Sequence, residues 1–253
     1  RDCLLSRGLG DVYKRQPKDA KQLKTWFSKL LTWILNSPQG QEEARQANNH
    51  STAHDAQVIA FAMYAGNMKV AREVINAIPR KRLFTQIEPD GKQPHELRRT
   101  LAFGYSQFNL SHFIDIFMMA RKIGISIDNA TSEDGRSFYK AMDFLVPYVG
   151  KDVKAWPYQQ ISEWKYKQQE FCKDLYRTFL LNPERKDYLK LYKTHRIIDW
   201  KDRFNLLWME ADDVNNAYAF ACGQLQFAMQ CAAKARKEAD NQCKHRVLSL
   251  IHI

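Results

Sequence analysis

No stretch of the chain carries the roughly 20 uninterrupted apolar residues that a membrane-spanning helix requires, because charges break every apolar run first. No run alternates with the clean period of two that marks a half-buried strand. The GxGxxG, P-loop, GxSxG and HExxH patterns are all missing, so nucleotide binding, serine hydrolysis and zinc-protease chemistry have no motif to start from. The five cysteines, Cys3, Cys172, Cys222, Cys231 and Cys243, are odd in number and form neither a CxxC pair nor a zinc-type Cys/His spacing. They read as small buried apolar residues without chemistry of their own.

What is present suits a soluble, folded, basic protein. With 253 residues, 45% of them hydrophobic, the chain can bury a sizeable core as one large domain or two small ones. Its 39 Lys and Arg outnumber 28 Asp and Glu, a formal net charge of +11. Residues 1–16 and 247–253, the latter within a tail taken as 245–253, resemble translated adapter sequence. They are expected to be a non-native leader and tail around a single domain over 17–244. The basic surplus survives removal of both ends. It attracts polyanions in general, whether nucleic acid, an anionic membrane or an acidic polysaccharide.

Apolar spacing predicts a mainly helical chain. Leu23, Trp26, Phe27, Leu30, Leu31 and Ile34 recur at three- and four-residue steps, which predicts a helix over Lys18–Leu35, stopped at Asn36-Ser37-Pro38. His54–Ala65 and Met68–Ile78 form an expected αα-hairpin around Gly66-Asn67, with Pro79 as its stop. A short helical piece over Arg82–Ile87 leads into a turn-rich loop over residues 88–94. Further helices are expected at Ser106–Ile123 with Gly124 as cap, Gly135–Tyr148, Ser162–Leu181, Glu184–His195 and Asp213–Glu238. The implied fold class is all-α.

Two segments concentrate polar and aromatic groups where an ordinary soluble helix has no need of them. One is Asn48-Asn49-His50-Ser51-Thr52-Ala53-His54-Asp55-Ala56-Gln57; the other runs from Gln93 through His95, Glu96, Arg98, Arg99, Phe103 and Tyr105 to Leu110. Taken singly these residues have plain readings: Asn49 and His50 as helix-start residues, Arg99 as a surface ion-pair partner, Tyr105 as a half-buried aromatic. Asp55 reads as a helix-start acid, and Glu88 and Asp90 as turn residues, so no metal is expected.

In order and spacing, however, the segments resemble the alginate lyase family. The likeness is greatest to a branch reading NNHGTWYDxQ, then QIEPDGxQPxEL, then ARTxSFHYSxFNL; here the matching stretches are Asn48–Gln57, Gln86–Leu97 and Arg99–Leu110. Residues Trp26–Trp33 and Ser37–Gly40 also resemble that branch, and the likeness extends over about residues 18 to 150. The resemblance implies an incomplete (α/α) toroid of helical hairpins, truncated here at its N-terminal side, with β-elimination on uronic-acid polymers such as alginate, polymannuronate or glucuronan. It also implies a periplasmic or secreted location, no cofactor, and an anionic polysaccharide rather than nucleic acid or membrane as partner.

Elimination explains why such residues belong together. Removing the C5 proton of a uronate places a second negative charge beside its carboxylate, and that charge must be neutralised. Asn49 and Arg99 are expected to hold the carboxylate and stabilise the enolate-like intermediate. A base must take the proton and an acid must protonate the departing O4. The resemblance assigns Tyr105 as acid, and for mannuronate-type sugars as both acid and base, with His50 as base or charge stabiliser. Arg99 rather than Arg98 fits the Arg-Thr register. Trp26 and Trp33 are assigned to core packing rather than to sugar stacking. Ala53 and His54 replace the branch's Trp-Tyr pair, and Gly104 replaces its His. These departures favour the alternative reading, a non-catalytic helical binder of acidic polymers, either a degenerate lyase or a nucleic-acid-binding protein.

Overall fold

A computed structural model describes residues 4–197 and Phe204, with side chains described from residue 19 onward. The chain divides into two compact units, Arg1–Arg196 and Ile197–Ile253, and helices α1 to α10 all belong to the first. The expected helix at Asp213–Glu238 lies outside the described residues, as do Cys3, Cys222, Cys231 and Cys243.

Among the described residues the secondary structure is helical, and the only β pairing is two isolated bridges, Leu101 with Gln160 and Thr131 with Ser137. The helices are α1 (Leu4–Asn36), α2 (Pro38–Arg45), α3 (Asn49–Ala65), α4 (Met68–Ile78), the single turns α5 (Phe84–Gln86) and α6 (Pro94–Leu97), α7 (Ala102–Lys122), α8 (Phe138–Leu145), α9 (Trp164–Leu181) and α10 (Lys186–His195). No described helix is long and apolar enough to cross a membrane.

Several boundaries differ from expectation, each for a local reason. Pro38 does not merely end α1; it opens α2, because Ser37 accepts a hydrogen bond from the Gly40 N–H and proline is suited to the first helical turn. Gly40 is required there, since a Cβ would lie 1.9 Å from the Ile34 carbonyl oxygen. Pro79 does not stop the chain's helical course either, for a π-helical turn carries it on over Pro79–Leu83 into α5. The expected Gly135–Tyr148 helix begins only at Phe138, capped by Ser137, and tightens to a 3-10 turn over Val146–Tyr148. At Gly66 the backbone turns left-handed, φ 85°, and closes the α3–α4 hairpin as predicted.

Helix α7 is the hub: it packs on α3, α8 and α9, while α10 folds back along α9. Phe103, Leu110, Phe113, Ile114, Ile116 and Phe117 are buried along it, with Phe138 of α8 set edge-on to Phe117 and Phe171 of α9 edge-on to Phe103. Truncating one of these phenylalanines costs about 3–5 kcal/mol. A smaller cluster of Leu31, Ile34, Val58, Ala62 and Ala71 joins α1, α3 and α4.

The motif segments are fastened together by buried hydrogen bonds. Gln86 accepts from Thr52 at 2.9 Å and from Asn109 at 2.9 Å, and donates to Ser51 at 3.1 Å and to the Asn48 carbonyl at 3.2 Å. Asn109 also donates to Gln93 at 2.8 Å, and Gln93 to the Ser106 carbonyl at 3.1 Å. Most of the motif's amides are thus scaffold: they fix α3, α5, α6 and α7 against one another, where an unpaired buried amide would be costly.

Candidate active-site cleft

One open cleft of about 440 Å³ is lined by Asn49, His50, Arg99 and Tyr105 together with Trp33, Ile34, Gln39, Gly40, Glu43, Ala53, His54, Gln57 and Phe108. The four residues singled out from sequence meet here from three places in the chain: the start of α3, the link after α6, and the first turn of α7.

Asn48 caps α3 by accepting from the His50 N–H at 3.2 Å, so Asn49 and His50 occupy the first turn, turned toward the cleft. Asn49 is buried. Both its backbone N–H and its side-chain Nδ2 donate to Glu96, at 2.6 and 2.8 Å. A carboxylate only accepts, so this fork fixes which end of the carboxamide is nitrogen and how it is oriented. Burial pushes the Glu96 carboxyl above the usual value, against the two Asn49 hydrogen bonds and the nearby charges of Arg99 and His50, which pull it down.

Arg99 lays its guanidinium over the Tyr105 ring, 3.9 Å from carbon to centroid. Arg98 is exposed and does not line the cleft. Tyr105 sits near the start of α7, whose terminus no local side chain caps. The loop before α9 does so instead: the Gln159 carbonyl accepts from Ala102, and Gln160 Oε1 accepts from Phe103 and Gly104 at 3.0 and 3.4 Å. A segment more than fifty residues away therefore sets the position of Tyr105.

His50 is half-exposed and its Nδ1 lies 2.8 Å from Glu43 Oε2 of α2. Because the carboxylate accepts, Nδ1 carries the proton in the neutral ring and Nε2 keeps its lone pair, the form a base needs. Sequence reasoning missed Glu43 because it missed α2; the Ser37-Pro38 start signal was the available clue. It also passed over Glu96, which is part of the resembled motif but was given no role.

Two expectations are corrected. Trp26 and Trp33 are 55% and 53% exposed, not core residues, since Leu31 and Ile34 form the buried face of α1. Trp33 lines the cleft, and its broad apolar face is available there. Asp55 is no exposed helix-start acid: it is buried and receives Arg82 Nε at 2.7 Å, Arg82 Nη2 at 3.3 Å and His54 Nδ1 at 3.2 Å. Burial alone would raise its carboxyl, but the His54 and Arg82 hydrogen bonds and the Arg82 charge outweigh that and hold it below the ordinary range. His54 therefore forms part of the cleft wall as an anchored ring, while Ala53 leaves space beside it. Among the described residues no three His, Cys, Asp or Glu side chains cluster as a metal shell.

A family model described as "Alginate lyase" matches residues 10–156. The crystal structure of an alginate lyase from Bacteroides ovatus is similar at 46% sequence identity with a TM-score of 0.74, over 78% of this chain and 52% of that one. The chain thus spans about half the length of that solved lyase. A search of the curated proteins matched none.

Proposed function

This chain belongs to the alginate lyase family, and from that membership and the cleft we propose that it is a polysaccharide lyase cleaving uronic-acid polymers by β-elimination. The polymers are alginate, polymannuronate or a glucuronan-like chain, met in the periplasm or outside the cell. The helical hairpins are taken as part of an incomplete toroid around the substrate. The observation that carries the reading is the convergence of an amide, an imidazole, a guanidinium and a phenol on one open cleft.

In this reading Asn49, braced by Glu96, and Arg99 bind the carboxylate of the sugar whose C5–H bond breaks. Their positive ends lie where the second negative charge develops, and a preorganised donor of this kind is worth about 2.7–4 kcal/mol in the transition state. The C5 proton passes to a base, Tyr105 for mannuronate-type sugars or His50 Nε2 for attack from the other face. The C5 electron pair forms the C4–C5 double bond, the C4–O4 bond breaks, and O4 takes a proton from Tyr105. The products are a new non-reducing end carrying a 4,5-unsaturated uronate and a shortened chain.

The test is ultraviolet absorbance, which rises as unsaturated ends form. Purified protein offered alginate, polymannuronate and glucuronan is expected to give that rise on at least one polymer, and Tyr105→Phe to abolish it with the fold intact. A flat trace on every polymer, with salt-sensitive binding retained, selects the non-catalytic binder instead.

A further inference from the structure

A second cavity, of about 230 Å³, opens beside the first, and Tyr105 and Phe108 line both. Its other lining residues among those described are Leu101, Gly104, Glu163 and Lys167, so among the described residues Lys167 is the only basic one on its wall. The first N–H groups of α7 offer an anion nothing here, because the Gln159 carbonyl and the Gln160 side chain already take those of Ala102, Phe103 and Gly104. Any negative charge entering this cavity meets Lys167.

Lys167 holds its position because residue 104 has no side chain. A Cβ on Gly104 would come within 3.1 to 3.3 Å of Lys167 Cγ, Cδ and Cε, the very stem that crosses α7 at that point. The lysine is mostly covered, 21% exposed, yet its ammonium is loosely held: Glu163 Oε2 stands 3.9 Å away on a side chain 51% exposed, and the exposed Tyr166 ring lies 5.1 Å from Nζ to centroid. A pair this long and this wet contributes little, so a second carboxylate can replace Glu163. Glu163 is also the one non-glycine residue with positive φ, 59°, among the described residues, a costly conformation at the cavity mouth.

If Tyr105 protonates the glycosidic oxygen, the two sugars joined at that oxygen lie on opposite flanks of its ring. The cleft with Asn49 and Arg99 takes one of them. We propose that the Gly104–Lys167 cavity is the subsite for the other, and that Lys167 binds the carboxylate of that neighbouring uronate. The inference rests on the lyase reading and adds a charge-selecting residue to it. A polymer carrying a carboxylate on every sugar satisfies both cations, while a neutral neighbour leaves Lys167 facing an uncharged ring.

Calorimetric titration tests it, with a mannuronate hexasaccharide added to Tyr105→Phe protein so that the ligand is not consumed. Adding Lys167→Gln is expected to weaken binding about tenfold, or 1.4 kcal/mol, and to make its salt dependence shallower. Lys167→Arg keeps most of the affinity. Gly104→His, which changes no charge at Lys167 but displaces its stem, weakens binding as Lys167→Gln does, and thereby separates a fitted subsite from general basic attraction. In otherwise unaltered protein, Lys167→Gln raises KM more than it lowers kcat. Affinity unchanged by both Lys167→Gln and Gly104→His, in protein whose ultraviolet assay shows lyase turnover, overturns the subsite alone. Absence of both turnover and hexasaccharide binding in the parent protein overturns the lyase reading and the subsite together.

Discussion

The guanidinium of Arg99 stacks on the face of the Tyr105 ring at 3.9 Å, so the cation fixes the plane of the phenol without occupying its hydroxyl. One planar group therefore serves two ends: it orients the ring, and its edge N–H groups remain for a carboxylate. Lysine cannot do both. Arg99→Lys is expected to lower kcat/KM about a hundredfold with little change in Tm, and steady-state ultraviolet rates beside a melting curve check this. A loss below threefold would mean that stacking is incidental.

Glu96 reaches Asn49 twice, through the backbone N–H and through Nδ2. It does so only when ionised, and burial raises its carboxyl above the ordinary value. As pH falls through that raised value the carboxylate takes a proton, one acceptor becomes a donor, and Asn49 loses its bracing. The acid limb of kcat/KM is thus expected above the pH at which an ordinary glutamate titrates. Glu96→Gln, with a permanent donor facing Asn49, is expected to reduce kcat/KM by about 10- to 100-fold and to remove that limb. An acid limb that persists unmoved in Glu96→Gln would assign it to another group.

Glu43 meets His50 at 2.8 Å on the open side of the cleft. Its effect is positional: it holds the proton on Nδ1. Glu43→Ala frees the ring and is expected to cut kcat about tenfold on polymers whose elimination uses His50 as base, a fraction of the roughly 10²–10⁴ that a general base supplies. Glu43→Gln, which still accepts through its amide oxygen, should restore most of the rate. Equal rates for wild type and Glu43→Ala on every polymer would remove Glu43 from the mechanism.

Asp174 of α9 is buried, accepting from Gln107 at 2.6 Å and from Arg177 at 3.2 Å. Burial still dominates, pushing its carboxyl up to about 6 against the opposing pull of Arg177 and Gln107. The unfolded chain loses this proton near 3.8 while the folded one keeps it to about 6. Between those values the unfolded state binds fewer protons, so stability falls as pH rises through the window and is constant above it. Asp174→Asn should lack this fall, and its denaturation midpoint should gain on wild type across the window in urea titrations at stepped pH. Parallel curves would show the carboxylate to be better compensated than its burial suggests.

Part of this protein was legible before any coordinates. Apolar spacing announces α1 and α7 and turn residues bound the α3–α4 hairpin, although α3 and α7 begin earlier than expected, at Asn49 and Ala102, and the Asn-Asn-His and Arg-Thr segments name residues that line the cleft. Glu43 beside His50 was missed with helix α2, whose Ser37-Pro38 start was read only as a stop; Arg82 inside against Asp55 and Gln160 capping α7 were missed because their partners lie far along the chain. Trp33 was misplaced because its spacing fits the same helix face as Leu30 and Ile34, and periodicity does not resolve which edge of a stripe is covered.

What the sequence by itself determined is local: helical periodicity, capping by Ser37, Asn48 and Ser137, the left-handed closure at Gly66, and the identity of the polar groups. These depend on dihedral preferences and hydrogen bonds spanning a few residues, which neighbours in the chain already specify. Which polar groups became scaffold and which faced the cleft was decided only by the tertiary structure. Gln86, Gln93 and Asn109 were drawn inside because partners from other helices satisfied them there, while Asn49, Arg99 and Tyr105 were held at an opening; burial and pairing of this kind are properties of the packed helices, not of any one segment.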